Sequence, residues 1–272
     1  MKYSTRRWRN TVFLALACVL MLTALSIIDQ SLNIQQYYSG WLMIIIVSLL
    51  MLFYVRKRLS VLPIGRSSSW AQWHYYSGLF LLIVFLKHIE FRFPNGMLEI
   101  SLTIVFAVVI VTGIVGGITN RVFARRLSYL EAEVIYERIP AHREQLKGQV
   151  EQLLLNVVAQ SESNTLSKYY LAHLQRFFNR SEHFLQHVFN NDYPVLKIQR
   201  DLEQQLRYLN EYEVNAVMEL RKLIAQKNML DRHAALQGVL KYWGILHMPV
   251  ATVLLFFIIA HVVLVYAFSG AA

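Results

Sequence analysis

The sequence predicts an all-α fold: an integral membrane bundle of five transmembrane helices, with a cytoplasmic helical insertion between the fourth and the fifth. Hydrophobic residues make up 56% of the 272 residues, and charged residues only 16%. The apolar residues gather into runs long enough to cross a bilayer, which takes about 20 residues of helix. Before the last run comes a long stretch of ordinary soluble composition, residues 119–241, which holds most of the charged residues.

Each apolar run is expected to form one span. The second is short, but its flanking tyrosines and Trp41 extend it as interfacial residues. The first follows the basic segment MKYSTRRWRN and resembles a signal peptide. We interpret it as an uncleaved anchor, because the run continues through Ile27 and Ile28 without a clear small-residue cleavage site. The five expected spans are residues 12–28, 38–55, 70–91, 98–118 and 242–268.

The positions of the basic residues predict the orientation. Of the ten lysines and arginines outside 119–241, eight lie in the N-terminus or the loop between the second and third spans, and only Lys87 and Arg92 lie on the opposite side. Basic loops stay cytoplasmic. We therefore expect an inner (cytoplasmic) membrane protein. Its N-terminus and insertion would be cytoplasmic, and its C-terminal tail SGAA periplasmic. The expected domains are 1–118 (spans 1 to 4), 119–241 (insertion) and 242–272 (span 5 and tail).

The insertion has a helical pattern throughout. It carries seventeen basic and fourteen acidic residues, and its apolar residues recur at steps of three and four. We expect two or three long helices folded as a hairpin or coiled coil, interrupted near Pro140, 161–165 and 190–194. The last helix should run from about Val195 directly into the fifth span. No nucleophile, base or phosphate loop is evident, so the insertion is interpreted as a docking or assembly module.

Two histidine pairs are the most informative feature of the spans. His74 and His88 lie fourteen residues apart, as do His247 and His261, and no other histidine lies in a span. Fourteen helical residues turn through roughly 1400° and rise about 21 Å, so each pair shares one face and reaches from one membrane edge to the other. The expected topology puts His74 at the depth of His247, and His88 at the depth of His261.

An ionisable residue inside a membrane is functional by default, and this layout suits two bis-histidine haems stacked across the bilayer. The alternative is four packing or hydrogen-bonding histidines without metal. Zinc or copper would need three or four close ligands. The single cysteine, Cys18, excludes covalent C-x-x-C-H haem attachment and a cysteine-ligated iron–sulfur cluster, so any haem is held non-covalently.

Two segments carry a resemblance. WHYYSGLFLLIVFLKH (73–88) and LHMPVATVLLFFIIAH (246–261) resemble the haem helices of di-haem b-type cytochromes, namely the respiratory cytochrome b subunits and the ferric reductase-like transmembrane proteins. The resemblance implies that His74 and His247 ligate an inner haem, and His88 and His261 an outer one. No G-x-G-x-x-G or other nucleotide-binding fingerprint occurs, and five spans are too few for a complete respiratory cytochrome b.

Several residues near the histidines are candidate supports. Gly78 and Gly244 would let a porphyrin plane approach the helix, or simply serve helix packing. Lys87 and Arg92 would pair with the outer haem propionates and Arg66 with the inner ones, unless they are interfacial anchors. Within the insertion, His183 and His187 stand four residues apart on a predicted helix face. That spacing can bind a metal, but no further ligand is evident, and a packing or solvated face is the alternative.

These observations predict an electron-transfer subunit of an oxidoreductase complex. Electrons would pass between a quinone pool or cytoplasmic donor and a periplasmic redox partner, for which a multihaem c-type cytochrome is the natural expectation. A bound quinone is an open possibility, and nucleic acid binding is not indicated, since most of the basic excess is juxtamembrane. The alternative function is a haem-free membrane sensor or scaffold that organises partners through its cytoplasmic coiled coil. That alternative leaves the four histidines unexplained.

Overall fold

A computed structural model describes residues 3–32, 35–58, 67–130, 133–161 and 163–268, and this part of the chain is helical with no strand. The α-helices are α1 Tyr3–Leu32, α2 Gln35–Arg58, α3 Ser67–His88, α4 Met97–Leu127, α5 Ile139–Ser161, α6 Thr165–Tyr169, α7 Gln175–Asn179, α8 Phe184–Val188, α9 Tyr193–Gln205 and α10 Glu211–Phe268. The all-α prediction is confirmed for these residues. The predicted SGAA tail lies outside them.

The chain divides into two compact units. The first, called the bundle unit, contains residues 1–118 and 243–272. The second, called the insertion unit, contains residues 119–242. The long helix α10 begins in the insertion unit and ends in the bundle unit.

Within the described residues, four helices are long and apolar enough to cross a membrane, as in a multi-pass membrane protein. They are Trp8–Ile28 of α1, Gln36–Phe53 of α2, the whole of α4, and α10. Helix α3 is not among them, because polar side chains stand near both of its ends: Gln72 and His74 at one, Lys87 and His88 at the other.

Helix α3 nevertheless occupies the middle of the bundle unit. Its residues Leu81, Val84 and Phe85 are buried, and Phe85 stacks on Phe106 of α4 with ring centroids 4.0 Å apart. A helix enclosed by other helices presents little surface to lipid, so it tolerates polar residues that a lipid-facing span would not. The core contains residues from all five helices of the unit: Met21, Leu25, Ile46, Val47, Leu81, Val84, Phe85, Phe106 and Leu254.

The third helix ends earlier than the sequence suggested. The prediction extended it to residue 91, but α3 stops at His88 and a turn follows. Glu90 and Phe91 both have left-handed backbone conformations, with φ of 51° and 57°. Such values are uncommon for residues other than glycine, and they turn the chain away from the helix axis before α4 begins.

The insertion unit differs from the predicted hairpin. Only α5 is long. It is followed by the short helices α6 to α8, with a π-helical turn at Tyr170–Leu174 between α6 and α7, and then by α9. The predicted interruptions near 161–165 and 190–194 are present. Pro140 does not interrupt a helix; it lies in the first turn of α5, where a missing N–H has no cost. The unit therefore encloses a core of its own rather than a coiled-coil seam.

The start of α10 was also predicted wrongly. We expected a continuous helix from about Val195, but α9 ends at Gln205, a 3₁₀ turn follows, and α10 begins at Glu211. The cause is a capping box. The backbone N–H of Glu213 donates to Oδ1 of Asn210 (2.9 Å), and that of Asn210 donates to Oε2 of Glu213 (3.3 Å). Two otherwise unpaired amides are satisfied reciprocally, which fixes a helix start at this point.

The carboxylate of Glu213 also joins two parts of the insertion unit. It is only 1% exposed, and its Oε1 accepts hydrogen bonds from the Ser163 hydroxyl (2.9 Å) and from the backbone N–H of Leu166 (3.1 Å). The same side chain therefore caps α10 and satisfies the first turn of α6.

We expect Glu213→Ala to destabilise the insertion unit by about 2 kcal/mol, because it leaves buried donors unsatisfied. Amide hydrogen exchange at the start of α6, near Leu166, should accelerate accordingly. Glu211→Ala is the matched control, since Glu211 is exposed in the same helical turn. Equal exchange rates in the two variants would contradict this role for Glu213.

Candidate functional site

The bundle unit brings the four span histidines together in two pairs. His74 of α3 lies close enough to His247 of α10 for their charges to interact, and the same holds for His88 and His261. This is the pairing that the sequence predicted. We call the first pair the inner pair and the second the outer pair.

In the outer pair, α2 holds the ring of His88. Ser39 Oγ lies 2.8 Å from His88 Nδ1, and the same hydroxyl donates to the carbonyl of Gln36 at 3.1 Å. A hydroxyl has one proton to donate. When that proton goes to the Gln36 carbonyl, the oxygen of Ser39 accepts from Nδ1–H, and this arrangement puts the imidazole proton on Nδ1. The lone pair of Nε2 is then available to a metal.

The inner pair repeats this arrangement with α4. Thr112 Oγ1 donates to the carbonyl of Val108 (2.7 Å) and lies 2.9 Å from His247 Nδ1. His247 thus has the same tautomer as His88. Its ring also stacks on Trp243, with centroids 5.1 Å apart and planes inclined by 15°, and the indole N–H of Trp243 donates to the Thr112 carbonyl.

A glycine follows each hydroxyl and lies beside the same imidazole. A Cβ added at Gly40 would lie 3.4 Å from Cε1 of His88, and one added at Gly113 would lie 3.5 Å from Cε1 of His247, both ordinary contact distances. Ser39-Gly40 and Thr112-Gly113 are therefore equivalent pairs, which we call hydroxyl–glycine pairs. In each, one residue hydrogen-bonds to the ring and the next lies alongside it.

The remaining two histidines have different surroundings. Nδ1 of His74 is buried without a hydrogen-bond partner, although a backbone group of Leu50 lies near the ring and the ring of Phe53 packs against it at 5.1 Å. Nδ1 of His261 faces Oε1 of Glu99 at 4.0 Å. That distance is too long for a hydrogen bond but within the range of an ion pair.

The outer pair opens on a cavity of about 570 Å³ with mainly apolar walls. Its volume is in the range of ligand-binding pockets. Both outer histidines line it, together with Gly40, Phe85, Phe106 and Leu254. At its edge, Tyr266 accepts a hydrogen bond from the Trp41 indole and donates to Tyr37, each at 3.1 Å. Two imidazoles at an apolar cavity of this size are compatible with a bound porphyrin.

The predicted supporting residues have mixed outcomes. A Cβ added at Gly78 or Gly244 would meet nothing within 4 Å, so protein packing does not require a glycine at either position. Arg92 lines the outer cavity as a propionate partner would, whereas Lys87 is not among its lining residues. Arg66 lies outside the described residues.

Sequence reasoning did not identify Ser39, Thr112, Gly40 and Glu99 as contacts of the histidines. A partial signal was present: a hydroxyl residue followed by glycine occurs in the second, third and fourth apolar runs, and two of these three pairs contact a histidine. Which histidine each hydroxyl contacts depends on how the helices pack against one another, and the sequence of a single helix does not contain that information.

The predicted helical placement of His183 and His187 is wrong. His183 precedes α8 in a left-handed conformation (φ 67°), and only His187 lies within the helix. His187 is buried. Burial and the nearby charge of Arg232 lower its pKa from 6.5 to about 4. Within the described residues, no three histidine, cysteine, aspartate or glutamate side chains converge on a metal site.

Comparison with known protein families, with curated proteins and with solved structures found no match to this chain. The site is therefore interpreted from its own geometry.

We expect Gly116→Ala to destabilise the bundle unit by about 1–3 kcal/mol, as overpacking does. A Cβ there would lie 1.9 Å from Cε2 of Trp243 and would displace the indole from the His247 ring. Gly244→Ala is the matched control; it meets open space and gains helix propensity, by up to about 1 kcal/mol. Thermal unfolding of the purified full chain distinguishes the two. Equal midpoints would contradict the packing described.

We also expect the insertion unit to lose stability at acid pH. In the folded state His187 has a pKa of about 4, against 6.5 ordinarily. As the pH falls, the unfolded state therefore takes up a proton on His187 at a higher pH than the folded state does. The free energy of unfolding should fall by about 2 kcal/mol between pH 7 and pH 5.

Hydrogen exchange of peptides covering α8 and α9 measures this loss. His187→Gln should reduce it, whereas His142→Gln, at an exposed position of α5, should leave it intact. If His187→Gln keeps the full pH dependence, the titrating group is another residue.

Proposed function

We propose that this protein is a membrane-embedded di-haem cytochrome b subunit that transfers electrons across the membrane. In this proposal His74 and His247 hold the inner haem, and His88 and His261 hold the outer haem. A haem with two imidazole ligands supplies reversible one-electron exchange and leaves no open iron position for substrate or oxygen chemistry.

The observation that carries the proposal is the shared hydrogen bonding of His88 and His247. Metal-ligating histidines characteristically donate their other ring N–H to a protein acceptor, which fixes the tautomer and orients the ring. Ser39 and Thr112 provide that acceptor in the two pairs. In this proposal the Nε2 lone pair on the opposite side of each ring is the iron ligand.

The surroundings of the two pairs suit the same cofactor. The outer histidines share an apolar cavity of about 570 Å³, with Arg92 at its edge as a partner for a propionate. In the inner pair, Trp243 and Phe53 cover the imidazole faces, and Nδ1 of His74 is a buried polar atom without a partner. These aromatic contacts would exclude water and hold the rings in place.

We propose five spans, with α3 as the fifth span in addition to the four long apolar helices. The basic loops then put the N-terminus and the insertion unit in the cytoplasm, and the C-terminus in the periplasm. The protein would belong to the inner membrane of a prokaryotic cell. A route from the inner to the outer haem would connect a quinone pool or cytoplasmic donor with a periplasmic partner, such as a multihaem c-type cytochrome.

The decisive experiment is a dithionite-reduced-minus-oxidised spectrum of the purified full chain, with pyridine haemochrome quantitation. We expect two b haems per chain. His88→Ala and His74→Ala should each reduce the content to about one haem per chain, because each removes one ligand of one pair. His142→Ala is the control, since that histidine is exposed and lies in the insertion unit.

A folded preparation without haem would overturn the proposal and favour the haem-free scaffold. Two haems that survive both substitutions would show that other residues ligate them.

A further inference from the structure

The outer pair differs from the inner pair in one respect that the haem assignment does not use. His247 of the inner pair faces a neutral hydroxyl, whereas His261 of the outer pair faces the carboxylate of Glu99, with Nδ1 and Oε1 4.0 Å apart. The two sites are therefore unequal in charge.

Glu99 is the carboxylate of the outer cavity that faces a histidine of the outer pair. The cavity is also lined by Glu90 and Arg92. Oε2 of Glu90 lies 3.9 Å from Nη1 of Arg92, so these two opposite charges form an ion pair. Gln36 further donates to Glu90 at 3.2 Å. Among the described residues, no lysine or arginine pairs with Glu99; the imidazole of His261 lies opposite its carboxylate.

Gly96 is what allows Glu99 to occupy this position. It immediately precedes α4, and a Cβ added there would lie 1.8 Å from Oε2 of Glu99. The carboxylate is thus folded back over the start of α4, where the helix dipole favours a negative charge. Any side chain at position 96 would have to displace it.

We infer that Glu99 is a positioning residue that lowers the midpoint potential of the outer haem. The inference rests on the proposed haem ligation. With Nε2 of His261 as the ligating atom, Nδ1 carries the proton and points toward the carboxylate. A negative charge there makes the imidazole a stronger donor and stabilises the more positive ferric state. The neutral partner of His247 has no such effect on the inner haem.

The test is a potentiometric titration of the full-length chain at one fixed pH, followed by haem absorbance. Two reduction waves are expected in the unsubstituted protein, and His74→Ala identifies the outer wave as the one that remains. Glu99→Gln should move the outer wave to a more positive potential and leave the inner wave and the haem content unchanged.

Gly96→Ala keeps the charge but displaces the carboxylate, and it should move the same wave in the same direction. Glu151→Gln, at an exposed position of α5, should move neither wave. Two bound haems with an outer wave unmoved by Glu99→Gln would overturn the inference and leave the haem assignment standing. A chain without haem would overturn both, and the haemochrome assay reports that separately.

Discussion

The bundle unit depends on one interaction: a hydroxyl on a neighbouring helix lies within hydrogen-bond distance of a buried imidazole nitrogen. Ser39 and Thr112 provide it for His88 and His247. Each hydroxyl donates a hydrogen bond to a backbone carbonyl of its own helix and accepts one from the imidazole N–H. The side of the ring that faces away from the hydroxyl is left with an unshared electron pair. Packing of α2 and α4 against the histidine helices thus determines the chemistry that the histidines can perform.

The sequence predicted what lies along one helix and not what lies between helices. The spacing of His74 and His88 places them on one helix face by helical geometry alone. The expected topology then predicted which histidine of α10 lies at the same membrane depth as each of them. The partners Ser39, Thr112 and Glu99 lie on other helices, so their contacts depend on helix rotation, which sequence periodicity leaves open. Helix α3 shows the converse: its polar ends weaken the signal of a span, yet its middle is the most enclosed part of the bundle unit.

In the insertion unit, local chemistry overrode a continuous pattern. Apolar residues recur at helical spacing across residues 202–224, which suggested one helix, but Asn210 and Glu213 begin a new one. That capping box is legible in the sequence N-E-Y-E. The left-handed conformation of His183 had no comparable signal. The burial of Glu213 against α6 belongs to tertiary packing and could not be derived from either segment alone.

The hydroxyl–glycine pairs also bear on how the helices find their places in a bilayer. Lipid tails are as apolar as leucine, so burial of apolar surface hardly selects one rotation or height of a helix over another. Sliding α2 by one residue along its axis, about 1.5 Å with a turn of about 100°, would put Gly40 in the place of the Ser39 hydroxyl and Trp41 in the place of Gly40, beside the His88 ring. The adjacent hydroxyl and glycine therefore fix the register of α2 against α3. A pair of small residues that looks unremarkable in an apolar run sets the alignment of these two helices to within a single residue.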